Sequence, residues 1–418
     1  MAFNSAGNDP GNGQGIGTGL KAALTGIRVL DFTNLLAGPF PSLLLGFLGA
    51  EVIKVESNTR LDAARRPPYS FGGADKSPVF NSVNLNKLSV QLNLKEPQAI
   101  NLAHRLAAIS DVVVENMRPG VMDRLGLGYS RLREDNPTII MASISGAGAT
   151  GPERSYPGYA PAFSALGGLG HLTGYGDGPP AELHDSVDSR IGSTALFTLL
   201  TALFRRRRTG QGEFIDLSSR EAITMFSGEA LMDYAMNGVV QDRRGNQEPG
   251  FAPHGCYQCL GDDRWLTIAV GNQEEWIALC RVTGNPQWMG DPRFADALKR
   301  WDNQEALDQL IQVWTLTVDA GEAAKLLQKA GIAAEVSLDG KELAADPHLH
   351  ARKAWDFVDH PILGHIQVPS PPWKFSETPA TIRAPGPLLG QHNEYVLSEL
   401  LGVAKEEMDR WVKTGVVD

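Results

Sequence analysis

Ile27-Arg28-Val29-Leu30-Asp31-Phe32 and Glu51-Val52-Ile53-Lys54-Val55-Glu56 flank an apolar run that opens at Pro39 and closes at Phe47. The first flank has the pattern of a buried strand, and the second, with Val52, Ile53 and Val55 among charged residues, reads as a strand too. A proline fits the first turn of a helix, where its missing N–H has no partner to lose. The three segments therefore predict a β-α-β unit with parallel strands. Further strand signals lie at residues 89–94, 112–114 and 139–142, with helical patterns at 98–108 and 129–134 between them. Strands alternating with helices predict an α/β fold with a doubly wound parallel sheet.

Outward from this unit, residues 1–20 read as a flexible tail. Their glycines at 13, 15, 17 and 19 do not make a dinucleotide fingerprint, because no strand precedes them. Residues 21–222 read as the first part of a large Rossmann-like domain, and 223–244 as a linker helix within a helical pattern over 218–236. Residues 245–340 read as a smaller α+β domain, with strands on either side of the turn Gly261-Asp262-Asp263. A proline-rich stretch over 361–387 returns the chain, and a mostly helical stretch over 391–412 follows, so that 341–418 completes the large domain. That domain is thus expected to draw on both chain ends.

At 418 residues the chain is long enough for two domains, each with a full core. The net charge of −10 argues against a nucleic-acid partner, which calls for a basic field. No apolar stretch reaches the roughly 20 residues of a membrane span, and the first residues lack the pattern of a secretory leader. Three cysteines do not indicate a disulfide framework, so the reading is a cytoplasmic protein without a membrane partner.

Several constellations fail as chemistry. Cys256-Tyr257-Gln258-Cys259 sits in a strand pattern rather than at a helix start, and lacks the second pair a zinc site needs. His348, His350, His360 and His365 lack metal-ligand spacing, so no metal is expected. His184, Asp185 and Ser186 are neighbours in sequence, which is not how a triad is built. Asp188 stands apart. It precedes a run from Ile191 to Arg208 that reads as an apolar helix, where a carboxylate at the helix mouth would be kept ionised and able to attack an activated carbonyl. As a bare residue it reads first as a helix N-cap, a role that aspartate favours.

Taken in order, several segments resemble the class III coenzyme A-transferases, the family of formyl-CoA, crotonobetainyl-CoA and arylsuccinate CoA-transferases. They are Leu24-Thr25-Gly26-Ile27-Arg28-Val29-Leu30-Asp31 with Ala37-Gly38-Pro39, Leu48-Gly49-Ala50 with the second strand, Asn84-Leu85-Asn86-Lys87, Val114-Glu115-Asn116-Met117-Arg118-Pro119-Gly120, Arg207-Arg208-Thr209-Gly210-Gln211-Gly212 and Leu388-Leu389-Gly390-Gln391-His392. The resemblance implies an interlocked dimer, either of identical chains or with a paralogous subunit. It implies an acyl-CoA thioester and a carboxylic acid as substrates, with no permanently bound cofactor.

The family's catalytic aspartate stands four residues before a glycine, ahead of a helix that ends R-x-x-T-G-x-G. Asp188, Gly192 and the segment from Arg206 to Gly212 reproduce that spacing, so Asp188 is the nucleophile the resemblance implies; Asp185 does not fit, since Ser189 stands four residues on. Carried over residue by residue, Leu36, Leu92, Lys95, Asn116, Met117, Arg118 and Arg124 fall at coenzyme A positions. Arg60 stands in for a basic residue replaced by Ser57. Arg65, Arg66 and Tyr159 are candidates for the acceptor acid. The segment at 245–251 lacks the four-glycine run of formyl-CoA transferases, which points to a larger acid than oxalate or formate, such as an arylsuccinate or a branched dicarboxylate, with succinyl-CoA as donor. Two alternatives stand beside this: a non-catalytic subunit of a heteromer, and an α-methylacyl-CoA racemase. The racemase needs a histidine that Pro157-Gly158-Tyr159-Ala160 does not supply.

Overall fold

The computed structural model describes residues 22–418, apart from the side chains of residues 184 and 185. The expected tail at 1–20 lies outside the described residues. The β-α-β unit is present as β1 (Arg28–Asp31), the helix Pro39–Phe47 and β2 (Glu51–Glu56). β1 and β2 run parallel, with Leu30 opposite Ile53. They are joined by β3 (Lys87–Gln91), β4 (Val112–Glu115), β5 (Ile140–Ser145) and β6 (Phe214–Ser218) in the order β3-β2-β1-β4-β5-β6. The pairings from β3 through to β5 are all parallel. The class is therefore α/β, as the alternation of strands and helices indicates. The strand order changes direction between β1 and β4, which opens a crevice at the carboxyl ends of the strands. β6 was not anticipated from the sequence, because Phe214 and Asp216 face solvent and break any continuous apolar run.

The chain forms two compact units. The first takes the chain as far as Ile144, then Gly192–Asp216 and Asp356–Asp418, so it draws on both ends of the sequence. One face of its sheet contributes Leu30, Ile53, Val90, Val113 and Met141 to a single core. The helix Pro97–Ala108 covers that face because Ala99, Leu102, Ala103, Leu106 and Ala107 recur at i, i+3 and i+4. Val396, Leu397 and Trp411 from the far end of the chain complete the same cluster. Fully burying each large side chain contributes about 1.5–3 kcal/mol, so the distant segment is a substantial part of this core.

That segment also covers β3, which is an edge strand. The His392 N–H donates to the Ser89 carbonyl (2.9 Å) while the Ser89 N–H donates to His392 Nδ1 (3.1 Å). Asn393 accepts from the Gln91 N–H at 2.8 Å. The Leu388–His392 motif thus serves as a side-chain substitute for a neighbouring strand. In the stretch expected to be an irregular return, β10 (Trp355–His360) and β11 (Gly364–Pro369) pair as a two-stranded sheet. Val358 and Val368 from it pack with Leu43, Leu44 and Phe47.

The second unit comprises Ser145–Ile191 and Leu217–Trp355. It contains the antiparallel strands β7 (His254–Gln258), β8 (Trp265–Ala269) and β9 (Ala333–Val336) over a core that includes Leu266, Ile268, Trp276, Leu279, Ile311 and Leu327. The single helix expected over 218–236 is two helices, Ser219–Phe226 and Gly228–Asn237. They part at Ser227-Gly228, a pair with poor helix propensity. No helix among the described residues is long and apolar enough to cross a membrane.

Candidate active site

Each parallel strand hands its chain to a loop at its carboxyl end, and four of these loops line one cleft. Phe32 and Asn34 come from the loop after β1, Ser57, Thr59 and Arg60 from the turn after β2, Leu92 to Lys95 from the loop after β3, and Met117 from the loop after β4. The lower wall of the cleft carries buried charges that are paired internally. Lys54 donates to the Thr33 carbonyl at 2.6 Å and lies 3.2 Å from Asp62. Burial opposes its charge, but Asp62, Asp31 and Glu56 outweigh burial and hold Lys54 above its ordinary pKa. Beside it, burial would favour neutral Asp31, yet Lys87 at 3.0 Å and Lys54 keep that carboxyl at about 2.

The rim is different. Arg60 and Lys95 are exposed there, and neither has an ion-pair partner among the described residues. A polar rim with two such cations over an apolar wall of Leu92 and Met117 suits a ligand with a phosphorylated end and an apolar arm.

Of the residues singled out in the sequence, Arg60, Leu92, Lys95 and Met117 come together in this cleft. Asn116 sits next to it but holds the protein itself. Its Oδ1 accepts from the Asn34 N–H (2.8 Å) and its Nδ2 donates to the Asn34 carbonyl (2.9 Å). Gly38 is required there, since a Cβ would lie 2.7 Å from Asn116 Cγ. Leu36 is half-buried outside the lining, and Arg118 and Arg124 are exposed outside it.

Arg65 requires correction. It is buried, and all five of its N–H groups are engaged by both Glu56 oxygens, Asp75, the Pro387 carbonyl and the Ala74 carbonyl. It also lies over the Phe80 ring, with the guanidinium carbon 3.4 Å from the centroid. It locks the first unit together and has no donor left for an acid. Arg66 is exposed, and Tyr159 is exposed in the second unit. The sequence reading did not propose Asn34, Lys54, Thr59 or Asp62 as site residues. Lys54 had a signal: a lysine in the middle of an otherwise apolar buried strand needs a partner.

Asp188 also requires correction in its local setting. The helix begins at His184 and runs to Thr209, with the Leu183 carbonyl accepting from the Val187 N–H at 3.1 Å. Asp188 is therefore within the helix and half-buried, rather than at its mouth. It is past the turn where the helix dipole acts most strongly. The polar run His184-Asp185-Ser186, with loop-like composition, hides the true start. Gly192, one helical turn later, has a structural reason: a Cβ would fall 2.8 Å from Phe40 Cβ and 3.1 Å from the Ala37 carbonyl. The helix thus rests directly on the loop that carries Ala37-Gly38-Pro39.

A model of CoA-transferase family III matches residues 24–393. The chain belongs to this family. The CoA-transferase is 35% identical to succinyl-CoA–D-citramalate CoA-transferase of Chloroflexus aurantiacus, over 92% of this chain and 96% of that one. It is 34% identical to the succinyl-CoA–L-malate CoA-transferase beta subunit of the same organism, over 94% and 98% of the two chains. A CAIB/BAIF family protein from Brucella suis has a similar structure, with a TM-score of 0.84 and 29% identity over 91% of this chain and all of that one.

At the end of β4 the CoA-transferase buries Glu115, whose carboxylate accepts from the Met117 N–H at 2.7 Å. Burial pushes this carboxyl up to about 7, against the opposing bonds from Ser143 and Met117. The three cysteines are free, and burial raises each thiol above its ordinary value, so none is an acidic, reactive thiol. No group of three or more His, Cys, Asp or Glu is placed to hold a metal among the described residues.

Proposed function

We propose that this CoA-transferase takes coenzyme A from succinyl-CoA and delivers it to a dicarboxylic acid, with Asp188 as the nucleophile. The observation that carries the reading is the cleft at the carboxyl edge of the sheet, with Arg60 and Lys95 on its rim and Leu92 and Met117 in its wall. The cations meet the phosphates, with Arg118 and Arg124 adding to the field, and the apolar residues meet the pantetheine arm. Leu36 and Asn116 shape the loop above it. Relatives named for D-citramalate and L-malate support a dicarboxylic acceptor, and D-citramalate is itself methyl-branched. Arg66 and Tyr159 are the residues assigned to that acid.

In the first step an Asp188 oxygen attacks the thioester carbonyl. The C–S bond breaks, leaving a mixed anhydride and coenzyme A thiolate. The thiolate attacks the aspartyl carbonyl and releases succinate, so that the enzyme carries an aspartyl thioester. The acceptor carboxylate attacks that thioester, expels the thiolate and forms a second anhydride. The thiolate then takes the acceptor acyl group and returns Asp188 as carboxylate. Each addition places negative charge on an oxygen, and backbone N–H groups around 245–255 are assigned to receive it.

The working state we propose is a dimer, of two copies or with a paralogous chain, as the naming of one relative as a beta subunit suggests. Met225, Met232, Tyr234, Met236 and Val240 in the second unit are all more than half exposed, an apolar group suited to a partner surface. The deciding experiment is incubation with succinyl-CoA and hydroxylamine, followed by peptide mapping. A hydroxamate on Asp188 that forms only with succinyl-CoA is the expected result. Unmodified Asp188, or label on Cys256, would overturn the assignment.

A further inference from the structure

The cleft is stitched to a segment with no place in the chemistry above. Asp418 lays its side-chain carboxylate across the turn after β2. Its Oδ2 accepts from Ser57 Oγ (2.8 Å) and from the Thr59 N–H (2.9 Å), and its Oδ1 from the Asn58 N–H (3.1 Å). The same segment holds the opposite wall. The Asn93 N–H donates to the Val416 carbonyl at 2.9 Å, Asn93 Nδ2 donates to the Gly415 carbonyl at 3.1 Å, and Gln91 Nε2 donates to the Asp418 carbonyl. Val416 and Val417 are buried in the core beneath, so the segment is anchored and Asp418 is fixed by it. Ser57, Thr59 and Asn93 all line the cleft, and Arg60 follows directly in the turn.

We propose that Asp418 is a positioning residue for acyl-CoA binding: its carboxylate fixes the Ser57–Arg60 turn and so presents Arg60 to the ligand. The proposal rests on reading this cleft as the acyl-CoA site. The reasoning is geometric. A turn of exposed residues at the end of a strand holds its N–H groups toward a carboxylate or lets them fray to water. A charged acceptor shared by one hydroxyl and two N–H groups is a strong tie for so short a segment. Arg60 takes no part in that tie, and its guanidinium is left for the ligand. Losing the tie raises the entropy that ligand binding must overcome.

The test uses the full chain. Coenzyme A binding is measured by calorimetry for the wild type, Asp418→Ala, Asp418→Asn, Arg60→Ala and the Asp418→Ala/Arg60→Ala pair, with steady-state kinetics alongside. Asp418→Ala is expected to raise the Kd for coenzyme A and the KM for the acyl-CoA donor about tenfold, the effect of losing charge-assisted bonds. The kcat and the acceptor KM should stay within about twofold, a split that marks lost donor binding alone. Asp418→Asn keeps an acceptor oxygen and should recover part of the loss. The double variant should bind no more weakly than Arg60→Ala, because the two residues act through one turn.

Tighter coenzyme A binding by Asp418→Ala would show the carboxylate to be a competitor, and overturn the proposal. An additive double variant, or an equal fall in kcat/KM for donor and acceptor, would overturn it as well. Should Asp418→Ala fail to fold, Asp418→Asn alone decides: wild-type binding with this variant overturns the proposal, and a raised donor KM at unchanged kcat supports it. A wild type that binds no coenzyme A would instead sink the reading of the cleft.

Discussion

At the scale of single residues, two carboxyl groups make opposite predictions. Asp188→Ala should lower transfer by at least about three orders of magnitude, as loss of a nucleophile does in other covalent enzymes, while circular dichroism and coenzyme A binding stay unchanged. Turnover near that of the wild type would remove Asp188 from the mechanism. Glu115 is a matter of stability. Its carboxyl is held at about 7 in the fold against an ordinary 4.5, so the folded state favours the protonated form. Its stabilisation is complete below 4.5 and is lost as pH rises through about 7, a difference of about 3 kcal/mol. Glu115→Gln, which stays neutral, should therefore gain on the wild type in urea unfolding between pH 5 and pH 8. An equal difference at both pH values contradicts the buried-acid reading. Asp188 was singled out through the family resemblance, on its spacing to Gly192. Glu115 left no such trace, because its burial depends on Ser143 of the neighbouring strand, and Arg65 looked available to an acceptor acid because its partners Asp75 and Pro387 lie on other segments.

At the scale of elements, the edge of β3 is the exposed point. His392 both donates to and accepts from Ser89, so His392→Ala leaves the Ser89 N–H without its partner. The expected cost is about 1–3 kcal/mol, read as a lowered thermal midpoint, with more aggregation on heating as the strand edge opens. An unchanged midpoint and clear solutions would mean that the loop covers β3 without His392. The β-α-β unit and the helix Pro97–Ala108 were legible from periodicity, since each buries a whole stripe or strand, and the helix Tyr129–Asp135, which buries only Leu132, was legible as well. What was not legible depends on partners elsewhere. β6 has a half-exposed pattern, the β10–β11 pair hides in a proline-rich stretch, and the helix carrying Asp188 starts in polar residues.

At the scale of the whole molecule, the exposed methionines and Tyr234 of the Gly228–Asn237 helix bear on assembly. Light scattering at micromolar concentration should report a mass near twice that of the chain. Met232→Lys and Met236→Lys together should shift the protein toward monomer, since a buried lysine is costly at an apolar contact. A wild-type monomer would contradict the dimer directly. Fold and assembly meet in the order of synthesis. Ser89 and His392 are 303 positions apart. At ribosomal rates of about 5–20 residues per second, β3 waits about 15–60 s for the residue that covers it. During that interval the nascent sheet has an open side that any extended chain can join, so yield of the native enzyme should depend on chaperones that occupy it until the last segment arrives.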